Sequence, residues 1–248
     1  MSNEPVILAT RGLVKEFAVG GRRHTMYQLL RARLAGGTEP PTRRRALDDI
    51  NIEVRTGETI GIIGDNGAGK TTLLKTIAGL YAPTRGRIER RGEVALLAGL
   101  GVGMLDELSV AGNIRLYGAL CGLSRQTIKE RFDDIVHWAE LAGFVAAELR
   151  TLSTGMRARL AFAITMHIDS ELILMDEAFS TGDKRFQEKC DRFFQDSRTP
   201  RRTTLVATHR LDFVREFCER TLWLHGGRQA AFSATGEVLG RYLAFVPG

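Results

Sequence analysis

The octapeptide GDNGAGKT, Gly64 to Thr71, fits the pattern G-x-x-x-x-G-K-[ST]. In such a loop the glycines let backbone N–H groups converge on phosphate oxygens, and the following helix adds its positive end. Lys70 then reaches the β- and γ-phosphates and Thr71 ligates Mg2+. A plain glycine turn leaves the Lys-Thr pair unexplained. Gly64, Asp65, Asn66, Gly67, Ala68, Gly69, Lys70, Thr71 and Thr72 are therefore read as the nucleotide-binding set. In LILMDE, residues 172–177, four apolar residues deliver Asp176 and Glu177 to the C-terminal end of a strand, where open α/β sheets place their ligand groups. Asp176 is expected to hold Mg2+, directly or through water, and Glu177 to orient and polarise the attacking water. His209 ends the next apolar strand in VATHR and is expected beside the γ-phosphate. RTLSTGMRARLAFA, residues 150–163, supports two readings. It is either a phosphate-sensing turn or an ordinary helix start, with Ser153 or Thr154 as N-cap and Leu160, Phe162, Ala163 and Ile164 turned inward.

The elements that must carry these residues are legible on either side of them. TIGIIG, 59–64, is a β-branched strand feeding the glycine loop, and TTLLKTIAGLYAP, 71–83, has helical spacing with Gly and Pro to stop it. VILATRGLVKEF, 6–17, and ALDDINIEVRTGE, 46–58, read as strands separated by an insertion rich in Arg, Gly and Pro. Residues 105–150 are helical in pattern. ELILMDE, 171–177, and TTLVATH, 203–209, are short apolar runs separated by a helix, as buried parallel strands require. WLHGGRQAAF suggests a last hairpin and GEVLGRYLAFV a final short helix.

With 248 residues, 44% of them hydrophobic, the chain can bury a substantial core. Residues 20–45 hold seven arginines against one acid, Glu39, which equals the whole net charge of +6. The basicity is thus one local device, and a diffuse nucleic-acid-binding surface is not expected. Within it, HTMYQLLRARL sets Met26, Leu29, Leu30 and Leu34 at helical spacing beside Arg23, Arg31 and Arg33. Such a segment suits an anionic leaflet or a pyrophosphate; a solvated loop is the other reading. Cys121, Cys190 and Cys218 form no C-x-x-C pair, the N-terminus lacks a signal-peptide pattern, and no apolar run reaches membrane-spanning length. These point to a reducing cytosol and a peripheral role at any membrane.

In their order and spacing, GDNGAGKT, LSTGM, LILMDE, the STGD turn at 180–183 and the His of VATHR resemble the nucleotide-binding subunit of an ABC transporter, over nearly the whole chain. The resemblance implies an α/β fold: a P-loop (RecA-like) ABC ATPase core with an antiparallel β subdomain and a helical subdomain. It implies one ABC ATP-binding domain across 1–248, with the basic insertion at 20–45 and the helical subdomain at about 105–155. It further implies a head-to-tail homodimer in which Ser153 and Gly155 of one copy cap the γ-phosphate held by the other. Thr154 and Met156 stand where the best-known version has Gly and Gln.

Phe17, in VKEF, matches the family's adenine-stacking aromatic, with a buried strand Phe as the alternative. Leu100 stands where many transporters carry a Gln that reaches the metal and water. GIIGDNGAGKTTLLK, SxGMxxRLAFA, the Phe-Gln-x-Lys-Cys run at 186–190 and GEVLGRYL are similar to exporters of O-antigen, capsule and teichoic acid polysaccharides. The implied function is ATP hydrolysis that powers translocation of a lipid-linked surface polysaccharide across the inner membrane. The implied cofactors are ATP and Mg2+, with catalysis by Lys70, Glu177 and His209. The implied partners are two copies of a transmembrane permease and the lipid-linked glycan, with no nucleic acid, and the implied place is the cytoplasmic side of the inner membrane. A drug or peptide cargo, or a soluble ABC ATPase acting on ribosomes or DNA, is the alternative. No carbohydrate-binding domain is expected after Gly248.

Overall fold

The computed structural model describes residues 4–19, 42–98, 101, 103–168, 170–176, 184–195 and 202–245. Glu177, Leu100 and residues 20–41 of the basic insertion lie outside the described residues. The chain runs β1 (Val6–Val19), β2 (Thr42–Arg55), β3 (Thr59–Ile63), α1 (Lys70–Ile77), β4 (Arg85–Arg90), β5 (Val94–Ala98), α2 (Val110–Leu120), α3 (Arg125–Glu130), α4 (Phe132–Ala139), two 3-10 turns, α5 (Thr154–Thr165), β6 (Leu172–Asp176), α6 (Lys184–Gln195), β7 (Thr203–Ala207), α7 (Leu211–Phe217), β8 (Arg220–His225), β9 (Arg228–Ala234) and α8 (Thr235–Phe245).

Nine strands form one sheet in the order β4-β1-β2-β9-β8-β3-β7-β6-β5. Strands β8, β3, β7, β6 and β5 run parallel, while β4, β1 and β2 pair antiparallel. The parallel strands separate two cores by simple alternation, since successive side chains leave opposite faces of a strand. In β6, Leu172 and Leu174 pack with α1 and the antiparallel strands, while Ile173 and Met175 pack with the helical side. The same alternation in β7 sends Leu205 and Ala207 one way and Val206 the other. Gly61 in β3 allows α7 to lie close, because a Cβ there would stand 2.9 Å from Val214 Cγ1.

Two features depart from the sequence reading. β2 starts at Thr42, so Arg43, Arg44 and Arg45 belong to a strand and not to the insertion. β4 and β5 had no counterpart in the sequence reading. Helix α1 ends where the sequence placed its glycine stop, at Ile77, with Gly79 at φ +86 just past the Ala78 cap. Ser153, not Thr154, is the N-cap of α5: its Oγ accepts from the Met156 N–H at 3.3 Å.

Candidate functional site

The register of the parallel strands fixes the site. Ile62 in β3 pairs with Ala207 in β7, which pairs with Asp176 in β6. Three consecutive strand ends therefore present the glycine loop, His209 and Asp176 on the same C-terminal edge. The Thr208 N–H donates to Ile62 O at 3.2 Å and carries the alignment one residue past the sheet.

The loop between β3 and α1 needs its glycines for different reasons. Gly64 sits at φ +141, and a Cβ there would lie 2.1 Å from Leu224 O; at Gly69, φ +107, it would lie 2.7 Å from Ala46 O. Gly67, φ +79, has open space around it, so its requirement is purely conformational. The Ala68 N–H donates to Asp65 O, and the Leu73 N–H to Gly69 O. No side chain caps α1 and no acid lies in its first turn. The first N–H groups of the helix, with their share of its dipole, are thus presented to a cleft, as an anion requires.

Lys70 is buried, and its Nζ donates to Gly64 O at 2.7 Å and Asp65 O at 3.3 Å. The same Nζ is 3.1 Å from His209 Nε2, which is 3.0 Å from Asn66 Oδ1. One ring nitrogen thus faces a donor and an acceptor: without a proton Nε2 accepts from the ammonium, and with one it donates to Asn66 Oδ1. The cleft in front holds about 610 Å³ and is lined by the loop together with Phe17, Thr71 and Thr72. Residues that the sequence reading did not assign to the site also line it: Arg44, Arg45 and the Gly226-Gly227 turn.

Phe17 is half-buried, with its ring edge-on to Tyr81 at 5.3 Å. Lys15 Nζ lies 5.0 Å from the Phe17 ring centroid and donates to Ala82 O at 2.8 Å, so one side of the ring carries a cation.

For a divalent cation the edge offers the hydroxyl of exposed Thr71 and the half-buried carboxylate of Asp176. Both are hard oxygen donors that fit Mg2+, which takes its remaining ligands from phosphates and water. Among the described residues no group of three or more His, Cys, Asp or Glu is placed to hold a metal by itself. Ser153 is exposed at the start of α5, and Gly155 has open space beside it. Neither lines the cleft of its own chain.

Parallel strands ending in a glycine loop, with the invading lysine bonded back to the loop carbonyls and an uncapped helix behind it, define a P-loop nucleotide-binding α/β fold. The profile of the family described as ABC transporter matches residues 47–180. The chain belongs to the ABC transporter family. It is 39% identical over 201 residues to the teichoic acids export ATP-binding protein TagH of Lactococcus lactis subsp. lactis (strain IL1403), across 81% of this chain and 43% of that protein. It is 36% identical over 197 residues to the O-antigen export system ATP-binding protein RfbB of Myxococcus xanthus, across 79% and 45%. The chain thus spans less than half the length of these two relatives. A solved dimeric, post-hydrolysis ATP-binding cassette bound to ADP and Pi superposes with a TM-score of 0.72 at 21% identity, over 92% of this chain and 99% of that one. Among the described residues no helix is long and apolar enough to cross a membrane.

Proposed function

We propose that the chain hydrolyses ATP as the nucleotide-binding subunit of an exporter, powering translocation of a lipid-linked surface polysaccharide across the inner membrane. The observation that carries this reading is the convergence of Lys70, His209, Asn66 and the strand end bearing Asp176 on one edge of the sheet. The cargo rests on the relatives, whose names are those of teichoic acid and O-antigen export proteins.

In this reading the triphosphate lies along the N–H groups of Gly67 to Thr72, with the base against Phe17. Thr71 and Asp176 would hold Mg2+, which supplies charge neutralisation at the β- and γ-phosphates. Lys70 exchanges its loop carbonyls for phosphate oxygens. His209, already within reach of Lys70, meets the γ-phosphate. Glu177, one residue past Asp176, orients the attacking water, and ADP and phosphate leave. Ser153 and Gly155 of a second copy cap the γ-phosphate through a hydroxyl and a helix-terminal N–H. Closure of this homodimer on ATP and its reopening after hydrolysis drive two copies of a permease, with the chain peripheral on the cytoplasmic side.

The shared site is tested by mixing two inactive chains. Ser153→Arg and Lys70→Ala place both lesions at one composite site of the heterodimer and leave the other intact, so ATPase activity is expected to recover in part. Proven heterodimers with no recovery would count against sites built from two copies.

A further inference from the structure

The run Thr42-Arg43-Arg44-Arg45 opens β2 opposite the end of β1, and its pairing sorts the three arginines. Glu16 pairs with Arg45, Phe17 with Arg44 and Ala18 with Arg43. Directly opposed residues of an antiparallel ladder share a face, and their neighbours in sequence take the other. Arg45 and Arg43 are accordingly on the Glu16 face: Arg45 Nε is 3.2 Å and Arg43 Nη1 3.6 Å from that carboxylate. Arg45 Nη1 also donates to Asp48 at 2.9 Å. Their charge is spent on structure. Arg44 shares the opposite face with Phe17, is exposed, lines the cleft and pairs with no carboxylate among the described residues. Arg45 lines the cleft as well, but its guanidinium is held by Glu16 and Asp48.

Resting on the nucleotide site proposed above, we infer that Arg44 is a second nucleotide-binding cation, which grips the α-phosphate from the base side of the cleft while Lys70 serves the β- and γ-phosphates from the strand side. The geometry gives the division of labour. The phosphate cradle is at Gly67 to Thr72, the aromatic platform is Phe17, and the α-phosphate of a nucleotide spanning the two lies between them. Of the two cations near Phe17, Lys15 is bonded to Ala82 O, whereas Arg44 pairs with Phe17 across the ladder and lines the cleft, and its planar fork suits a phosphate better than an ammonium does. Tyr81 and Lys15 pack against the Phe17 ring and keep the platform in place.

The test is calorimetric titration of the purified chain with ATP, ADP and adenosine. Arg44→Gln is expected to weaken ATP and ADP by the same factor, about tenfold, and to leave adenosine unchanged. Arg44→Lys should fall between, and Arg43→Gln, on the other face, should bind like the unaltered chain. Because Arg44 is exposed on a strand, these substitutions leave the core untouched. ATP affinity kept within about twofold in Arg44→Gln overturns the inference, as does an equal loss in Arg43→Gln, which would indicate a general field rather than a contact. Lys70→Ala separates this failure from failure of the site itself. Loss of binding there but not in Arg44→Gln removes only the role of Arg44, whereas ATP binding retained in both removes the nucleotide site.

Discussion

Lys70 Nζ stands 3.1 Å from His209 Nε2, which ties the start of α1 to the second residue after β7 across one pair of parallel strands. The two groups proposed to meet one γ-phosphate are therefore already adjacent, and Asn66 Oδ1 lies 3.0 Å from the same ring nitrogen on the loop side. His209→Ala is expected to lower kcat on the order of a hundredfold while ADP affinity stays unchanged, because the β-phosphate contact belongs to Lys70. Steady-state ATPase kinetics with ADP titration check this; a raised KM at normal kcat would place His209 in ground-state binding instead.

The two glycines at the ends of the loop should be far less replaceable than the one at its tip. Gly64→Ala drives a methyl against Leu224 O in a backbone region reserved for glycine, and a loss of roughly 3 kcal/mol or more is expected. Gly67→Ala meets nothing within 4 Å and should cost only about 1 kcal/mol, the strain of a positive φ. Urea unfolding of the two variants gives the ranking directly, and equal losses would show that the loop differs from the one described.

The loop, LILMDE and VATHR were legible because chemistry pins a polar residue to the end of an apolar strand, and such strands advertise themselves. Other parts were hidden for physical reasons. Strand β4, RGRIER, pairs with β1 at the sheet edge and is exposed apart from half-buried Ile88, so it carries no alternation to read. Strand β5, VALLA, is a five-residue run that periodicity cannot separate from a helix segment. Arg43, Arg44 and Arg45 looked like insertion because nothing in the sequence announces that Glu16, distant along the chain, neutralises two of them. At the start of α5 the sequence offered Ser153 or Thr154 as the cap, and the hydrogen bond from the Met156 N–H selects Ser153.

The cysteines yield a further expectation. Burial pushes the Cys121 thiol up to about 11 and Cys218 up to about 12, and raises Cys190 also. The reactive thiolate gains population only as pH approaches these raised values, so the native chain should resist a disulfide-forming aromatic reagent at about pH 8. All three should react once the chain is unfolded in denaturant. Rapid labelling before unfolding would contradict the packing around α2, α6 and α7.

Glu177→Gln preserves shape but loses the charge proposed to polarise the attacking water. It is expected to bind ATP, to lose nearly all turnover and to elute as a persistent ATP-dependent dimer on size exclusion. Unchanged hydrolysis would remove Glu177 from the role given to it.

ATP hydrolysis in this cleft is proposed to drive glycan export, and surface polysaccharide in cells whose own copy of the gene is deleted tests this most directly. Cells supplied with the unaltered chain should display the glycan. Cells supplied with Lys70→Ala, expressed to the same level, should lack it at the surface and accumulate the lipid-linked precursor inside. Normal surface glycan with Lys70→Ala, or in the deletion itself, would contradict the account.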